Sequence, residues 1–151
     1  MYTNVLLAHS WIRWIALIAG VGATVTALAG SGPGADSRAD RWGLSFMISL
    51  DVQLLLGLLL YFALSPFTTE AMKDFGAAMK NPALRFWAVE HLATMMLAVI
   101  LAHVGRVLAR KAKTPDAKRM RMAACFGFAT VAMLLAIPWP GLTNGRPLFR
   151  F

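Results

Sequence analysis

VLLAHSWIRWIALIAGVGATVTALA, residues 5–29, decides the class of this protein. It is long enough to cross a bilayer core, which takes about 20 helical residues. Its only ionisable side chains are His9 and Arg13. Three further apolar blocks follow at about residues 42–64, 84–108 and 122–139. Turn-forming sequence separates them: SGPGADSRAD at 31–40, SPF at 65–67, KAKTPDAKR at 111–119 and PWPG at 138–141. Leu- and Ala-rich blocks of this length form helices, whereas a membrane barrel is built from shorter, alternating segments. The expected fold is all-α, a four-transmembrane-helix bundle running up-down-up-down, with residues 1–151 forming a single membrane domain. The amphipathic piece MKDFGAAMK at 72–80 is expected to lie at the interface.

Composition agrees. Of 151 residues, 58% are hydrophobic and 15% charged, against about 25% charged in an ordinary soluble domain. Mean hydropathy is +0.61. A soluble domain of this size has too little interior to hide so much apolar surface, because it buries only about two-thirds of what it exposes unfolded. A soluble enzyme, a disordered chain and a disulfide scaffold are thereby excluded. The single cysteine, Cys125, can form neither an internal bridge nor a thiolate metal cage. The string ALAG at 27–30 imitates a signal-peptide cleavage site. However, MYTN has no basic residue and Arg13 interrupts the apolar run, so the first block is expected to stay as a span.

The net charge of +8 invites a nucleic-acid reading, but the cations sit at the ends of the apolar blocks, where membrane topology explains them and no nucleic-acid partner is expected. One side of the bundle collects Arg38, Arg41, Arg106, Arg110, Lys111, Lys113, Lys118, Arg119 and Arg121; the other collects Arg13, Lys73, Lys80, Arg85, Arg146 and Arg150. The positive-inside tendency then places the 31–41 and 111–121 loops in the cytoplasm and both termini in the periplasm. A multi-pass protein of the bacterial inner membrane is the expectation, with the lipid bilayer as its first partner.

Ionisable groups at membrane depth are costly and mark functional candidates. Here they are His9 and Arg13 in the first span, Asp51 in the second beside the polar Gln53, and Glu90, His91, His103 and Arg106 in the third. His9 and His91 enter their spans from the same side and reach a similar depth. Neutral imidazoles on two facing helices are what an axially ligated haem requires. One haem b per chain, its iron held by His9 and His91, is therefore expected. Arg13, one turn from His9, and Arg85, near the outer end of the third span, are suited to the propionates. A histidine can equally be a polar tie between helices. Below His9 and Arg13, Ala16, Gly20, Ala23 and Ala27 continue the same face, a small-residue stripe that admits a flat ring or a neighbouring backbone.

His103 lies about 18 Å beyond His91 along its helix and roughly 120° around it, too far to share an iron. Three roles stay open for it: a single ligand, a quinone contact or a proton relay with Asp51. Asp51 must be protonated or paired. With Gln53, His103 and Arg106 it forms a second candidate site, for protons or a quinone, against the plainer reading of a structural ion pair. No GxGxxG, phosphate loop, HExxH or CxxC occurs.

HSWIRW at 9–14, QLLLGLLLYFALSP at 53–66, MKNPALRFWAVEH at 79–91 and IPWP at 137–140 together resemble a family of small bacterial four-helix membrane proteins labelled cytochrome-b-like. Its pattern is a histidine-serine with an arginine-aromatic pair, a glutamine with GLxLYF and a following SP, RFxxxEH and a closing PWP. The matching residues are His9, Ser10, Arg13 and Trp14; Gln53, Gly57, Leu60, Tyr61, Phe62, Ser65 and Pro66; and Arg85, Phe86, Glu90 and His91. The chain departs at Asp51, where members often carry histidine. The resemblance implies a haem-binding electron-transfer protein or subunit that exchanges electrons with quinol, within a larger membrane redox complex or a homo-oligomer. The alternative is a cofactor-free accessory subunit of a larger respiratory, photosynthetic or transport complex, for which the aromatic-rich ends serve as partner contacts. Whether the chain is an enzyme stays open; an electron-transfer subunit fits so small a bundle better than a free-standing enzyme.

Overall fold

A computed structural model describes residues 1–30 and 34–149; the loop reading at 31–33 and the charge assigned to Arg150 lie outside the described residues. Four helices are long and apolar enough to cross a membrane. Helix α1 is Tyr2–Ala29. Helix α2, Ala35–Leu59, continues through a π-helical turn at Leu60–Leu64. Two short helices follow, α3 at Pro66–Lys73 and α4 at Phe75–Lys80. The third span opens as α5, Pro82–Arg85, passes through a second π turn at Phe86–Glu90 and runs on as α6, His91–Arg110. Helix α7 is Pro115–Ala136.

Local chemistry sets most of these boundaries. Gly34, in the left-handed region at φ 76°, turns the chain into α2. Ser65 caps α3 ahead of Pro66, and Asn81 accepts from the Ala83 and Leu84 amides ahead of Pro82. Thr114 caps α7 ahead of Pro115. Helices α2 and α7 begin seven residues before the expected 42 and 122, because a charged first turn, entered from Gly34 in α2 and capped by Thr114 in α7, extends an apolar span without entering the hydrocarbon. The expected end at 139 moves back to Ala136, since a residue before proline is pushed out of the helical region and Ile137 precedes Pro138. The expected amphipathic segment at 72–80 is split at Asp74, which leaves the helical region and caps α4.

Helix α1 packs closely on α2 and α7, and α6 packs on α7 and more loosely on α2. Helices α1 and α6 therefore stand on one diagonal of the bundle, α2 and α7 on the other. The core is made of small residues that let helices approach, among them Ala16, Ala23, Ala98, Ala102 and Ala129. A Cβ on Gly105 would sit 2.5 Å from the Cys125 Cβ, so α6 and α7 can cross there only with glycine. Phe46 and Phe126, both fully buried, meet edge to face at 5.8 Å and fill the centre. Large apolar side chains such as Ile18, Leu55, Phe128 and Leu135 point outward, an arrangement that suits lipid and not water.

The two ends of the bundle differ. At one, Asp40 accepts from Lys118 at 2.6 Å and lies 3.5 Å from Arg106, while Arg119 reaches Asp36 and Asp116. At the other, residues 137–149 fold back as a strap. Leu148 offers its carbonyl to Arg13 at 2.8 Å and to the Trp14 indole at 3.2 Å, and Phe149 stacks on Trp14.

Candidate functional site

His9, two turns into α1, and His91, at the start of α6, meet inside the bundle at the strap end. Their ring centroids are 6.4 Å apart and their planes inclined at 64°. The rings face each other across the diagonal, not between neighbouring helices. Histidine–metal bonds run to about 2.0–2.1 Å, so two imidazoles on opposite faces of one ion have ring centres roughly 6 Å apart. The observed spacing matches that requirement.

Hydrogen bonding fixes the state of one ring. His91 Nδ1 lies 2.9 Å from the Ala136 carbonyl. A carbonyl only accepts, so Nδ1 carries the proton and Nε2 keeps the lone pair a metal needs. The bond exists because α7 ends there and leaves its last carbonyls without helical partners. His9 differs: its Nδ1 is buried without a hydrogen-bond partner. Gln53 donates from Nε2 to the His9 carbonyl at 2.9 Å, while its own Oε1 is buried and unpartnered. Each such orphan costs about 1–3 kcal/mol, a burden typical of sites that serve something other than stability.

The ring pair is bordered by a cavity of about 110 Å³ that reaches α1, α3 and the strap, and by one of about 60 Å³ between α2 and α6. His9, Gln53, Gly57, Tyr61, Trp87, His91 and Met95 form their common wall. Gly57 is part of the cradle, since a Cβ there would come within 3.4 Å of His9 Cε1. Both π turns sit at this level and are tied together, with the Tyr61 hydroxyl donating to the Ala88 carbonyl at 2.8 Å. Such turns recur at functional sites because they re-aim side chains without ending a helix.

Other candidates fall in different places. Arg13 is buried on the cavity wall, as the spacing from His9 requires. Arg85 is not: the π turn sets residue i+5 beneath residue i, so Arg85 Nε donates to Glu90 at 2.6 Å on the outside of the bundle. Gln53 belongs to the His9 site and not beside Asp51, because two helical residues are about 200° apart. His103 Nδ1 lies 3.0 Å from the Val99 carbonyl, and its Nε2 faces Asp51 Oδ1 at 3.5 Å. This pair is nearly half exposed and borders neither cavity. Arg106 turns away from it, donating to the Asp40 carbonyl at 3.1 Å and pairing with the Asp40 carboxylate.

One charged side chain on the cavity wall was not marked by the sequence. Arg146, on the strap, lines the larger cavity with its guanidinium 4.7 Å from the Phe67 ring centre and 5.3 Å from that of Trp87. The only sequence signal was the glycine before it in TNGRP.

Among the described residues, no group of three or more His, Cys, Asp or Glu could hold a bare metal ion. Two imidazoles and no third ligand suit an iron whose other four positions are filled by a porphyrin. The donor set fits that group. Comparison of the chain with protein-family models, with curated proteins and with solved structures returns no match.

Proposed function

We propose that this chain is a haem b-binding electron-transfer protein or subunit of the bacterial inner membrane, with His9 and His91 as the axial ligands of one haem. The observation that carries the proposal is the pair of rings set 6.4 Å apart inside the bundle beside two cavities. When bound, haem supplies one-electron redox chemistry. The chain's own groups bind and orient it: His91 presents Nε2 because the Ala136 carbonyl holds Nδ1–H, Gly57 leaves room beside His9, and Arg13 puts positive charge on the wall. The small bundle has little mass outside its spans, which favours exchange with quinol or with a partner subunit over substrate chemistry of its own. The resemblance to cytochrome-b-like proteins rests on the HSWIRW, GLLLYFALSP and RFWAVEH motifs and points the same way.

The orientation belongs to the same proposal: the 31–41 and 111–121 loops face the cytoplasm and the His9 end faces the periplasm. Titration of the purified protein in detergent with haemin tests the cofactor. The expected result is saturation at one haem per chain with a low-spin spectrum; a non-saturating increase with a high-spin spectrum would contradict it. Reporter fusions in the 111–121 loop test the orientation, which a periplasmic signal would overturn.

A further inference from the structure

We infer that Arg146 is the anchor for the carboxylate edge of a planar ring ligand in the larger cavity, and that the strap serves to hold it there. This rests on the haem reading for the identity of the ring, though the charge argument is independent of iron. Among the described residues, neither cavity has an aspartate or glutamate in its wall, while the larger one has Arg146. Among the described residues, the Arg146 guanidinium makes no ion pair or hydrogen bond and is held only by the faces of Phe67 and Trp87. Stacking of this kind occupies the flat face of a guanidinium and leaves its N–H edges free for a carboxylate. A half-buried cation at the edge of an apolar bundle without a counter-charge is poorly placed unless an anion joins it.

The strap makes that cation rigid. The Arg146 amide donates to the Pro138 carbonyl at 3.0 Å and Gly145 donates to Leu142 at 2.8 Å. A Cβ on Gly145 would lie 2.8 Å from the Trp139 carbonyl oxygen, so glycine is required immediately before the arginine. A pre-set guanidinium loses less freedom on meeting its partner than one on a loose tail. Arg146 thus fills the place that the spacing of the third span assigns to Arg85, which Glu90 has taken.

Iron-free protoporphyrin IX and its dimethyl ester separate this inference from the iron ligation. Binding of each to the full-length protein in detergent can be followed by quenching of tryptophan fluorescence. The diacid is expected to bind about tenfold more tightly than the ester, the scale of one charge-assisted contact. Arg146→Gln should erase that preference and Arg146→Lys should keep part of it. Equal binding of diacid and ester to the unaltered protein overturns the inference without any variant having to fold. A preference kept in Arg146→Gln but lost in Arg13→Gln overturns the assignment to Arg146. If haemin gives a low-spin spectrum while either of those results holds, the ligand reading stands and the anchor fails. If haemin gives none while the diacid preference depends on Arg146, the anchor stands and the iron reading fails.

Discussion

The third span carries two histidines twelve residues apart, and each meets a polar partner on another helix, yet the two regions are built to opposite ends. His91 points into the bundle at His9, beside empty space and buried polar atoms without partners. His103 points out to the flank of α2, where Asp51 meets it 3.5 Å away with no cavity between. Twelve residues turn a helix by roughly 120° beyond whole turns, enough to move a side chain from the interior to the surface. The same contrast runs through α2, where Gln53 is 7% exposed and Asp51, two residues earlier, has a side chain 42% exposed. Residue type and depth do not separate a buried histidine pair from a surface ion pair; the face of the helix does.

The comparison breaks most sharply at the histidines. His9→Ala and His91→Ala should each abolish low-spin haem, with exogenous imidazole restoring part of the band, whereas His103→Ala should leave it intact. Loss of the band in His103→Ala alone would reverse the roles given to the two regions. Next in size, Gly57→Leu should sharply reduce haem uptake while both ligands remain, because the new side chain grows toward His9. Retained helicity by circular dichroism combined with unchanged haemin titration would show that the cradle has been misread.

Phe126 lines neither cavity, and Phe126→Ala should cost about 3–5 kcal/mol of stability, as loss of a buried aromatic does. Thermal unfolding in detergent would show the drop, with the bound spectrum unaltered at low temperature. The smallest effect is expected at Asp51. Asp51→Asn should shift stability by about 0.6 kcal/mol, the average scale of polar contacts between membrane helices. It should also leave haemin affinity unchanged. A large loss of haemin binding there would join the two regions into one site.

Much of this contrast was legible in the sequence, because apolar block length and Pro/Gly breaks report the spans directly. The similar depth of His9 and His91 was legible too, since rise per residue is fixed. What escaped depends on events that periodicity does not carry. The π turn at Phe86–Glu90 shifts the helical phase and delivers Arg85 to Glu90. The diagonal relation of α1 and α6 follows from how closely α1 can approach α2 and α7 through alanine and glycine faces. Arg146 lies in a segment that reads as an exit from the membrane, and only the return of Leu148 to Arg13 and Trp14 brings it to the cavity. The polar first turns of α2 and α7 were missed because charge hides helix where hydropathy is the guide.

The reduced-minus-oxidised absorbance spectrum of the protein purified from membranes, recorded for the unaltered chain and for His9→Ala and His91→Ala, tests the central claim most directly. The account predicts the sharp bands of a low-spin b-type haem in the unaltered chain and their loss in each variant. A spectrum without haem bands in a protein also supplied with haemin, or bands that persist in both variants, would contradict it.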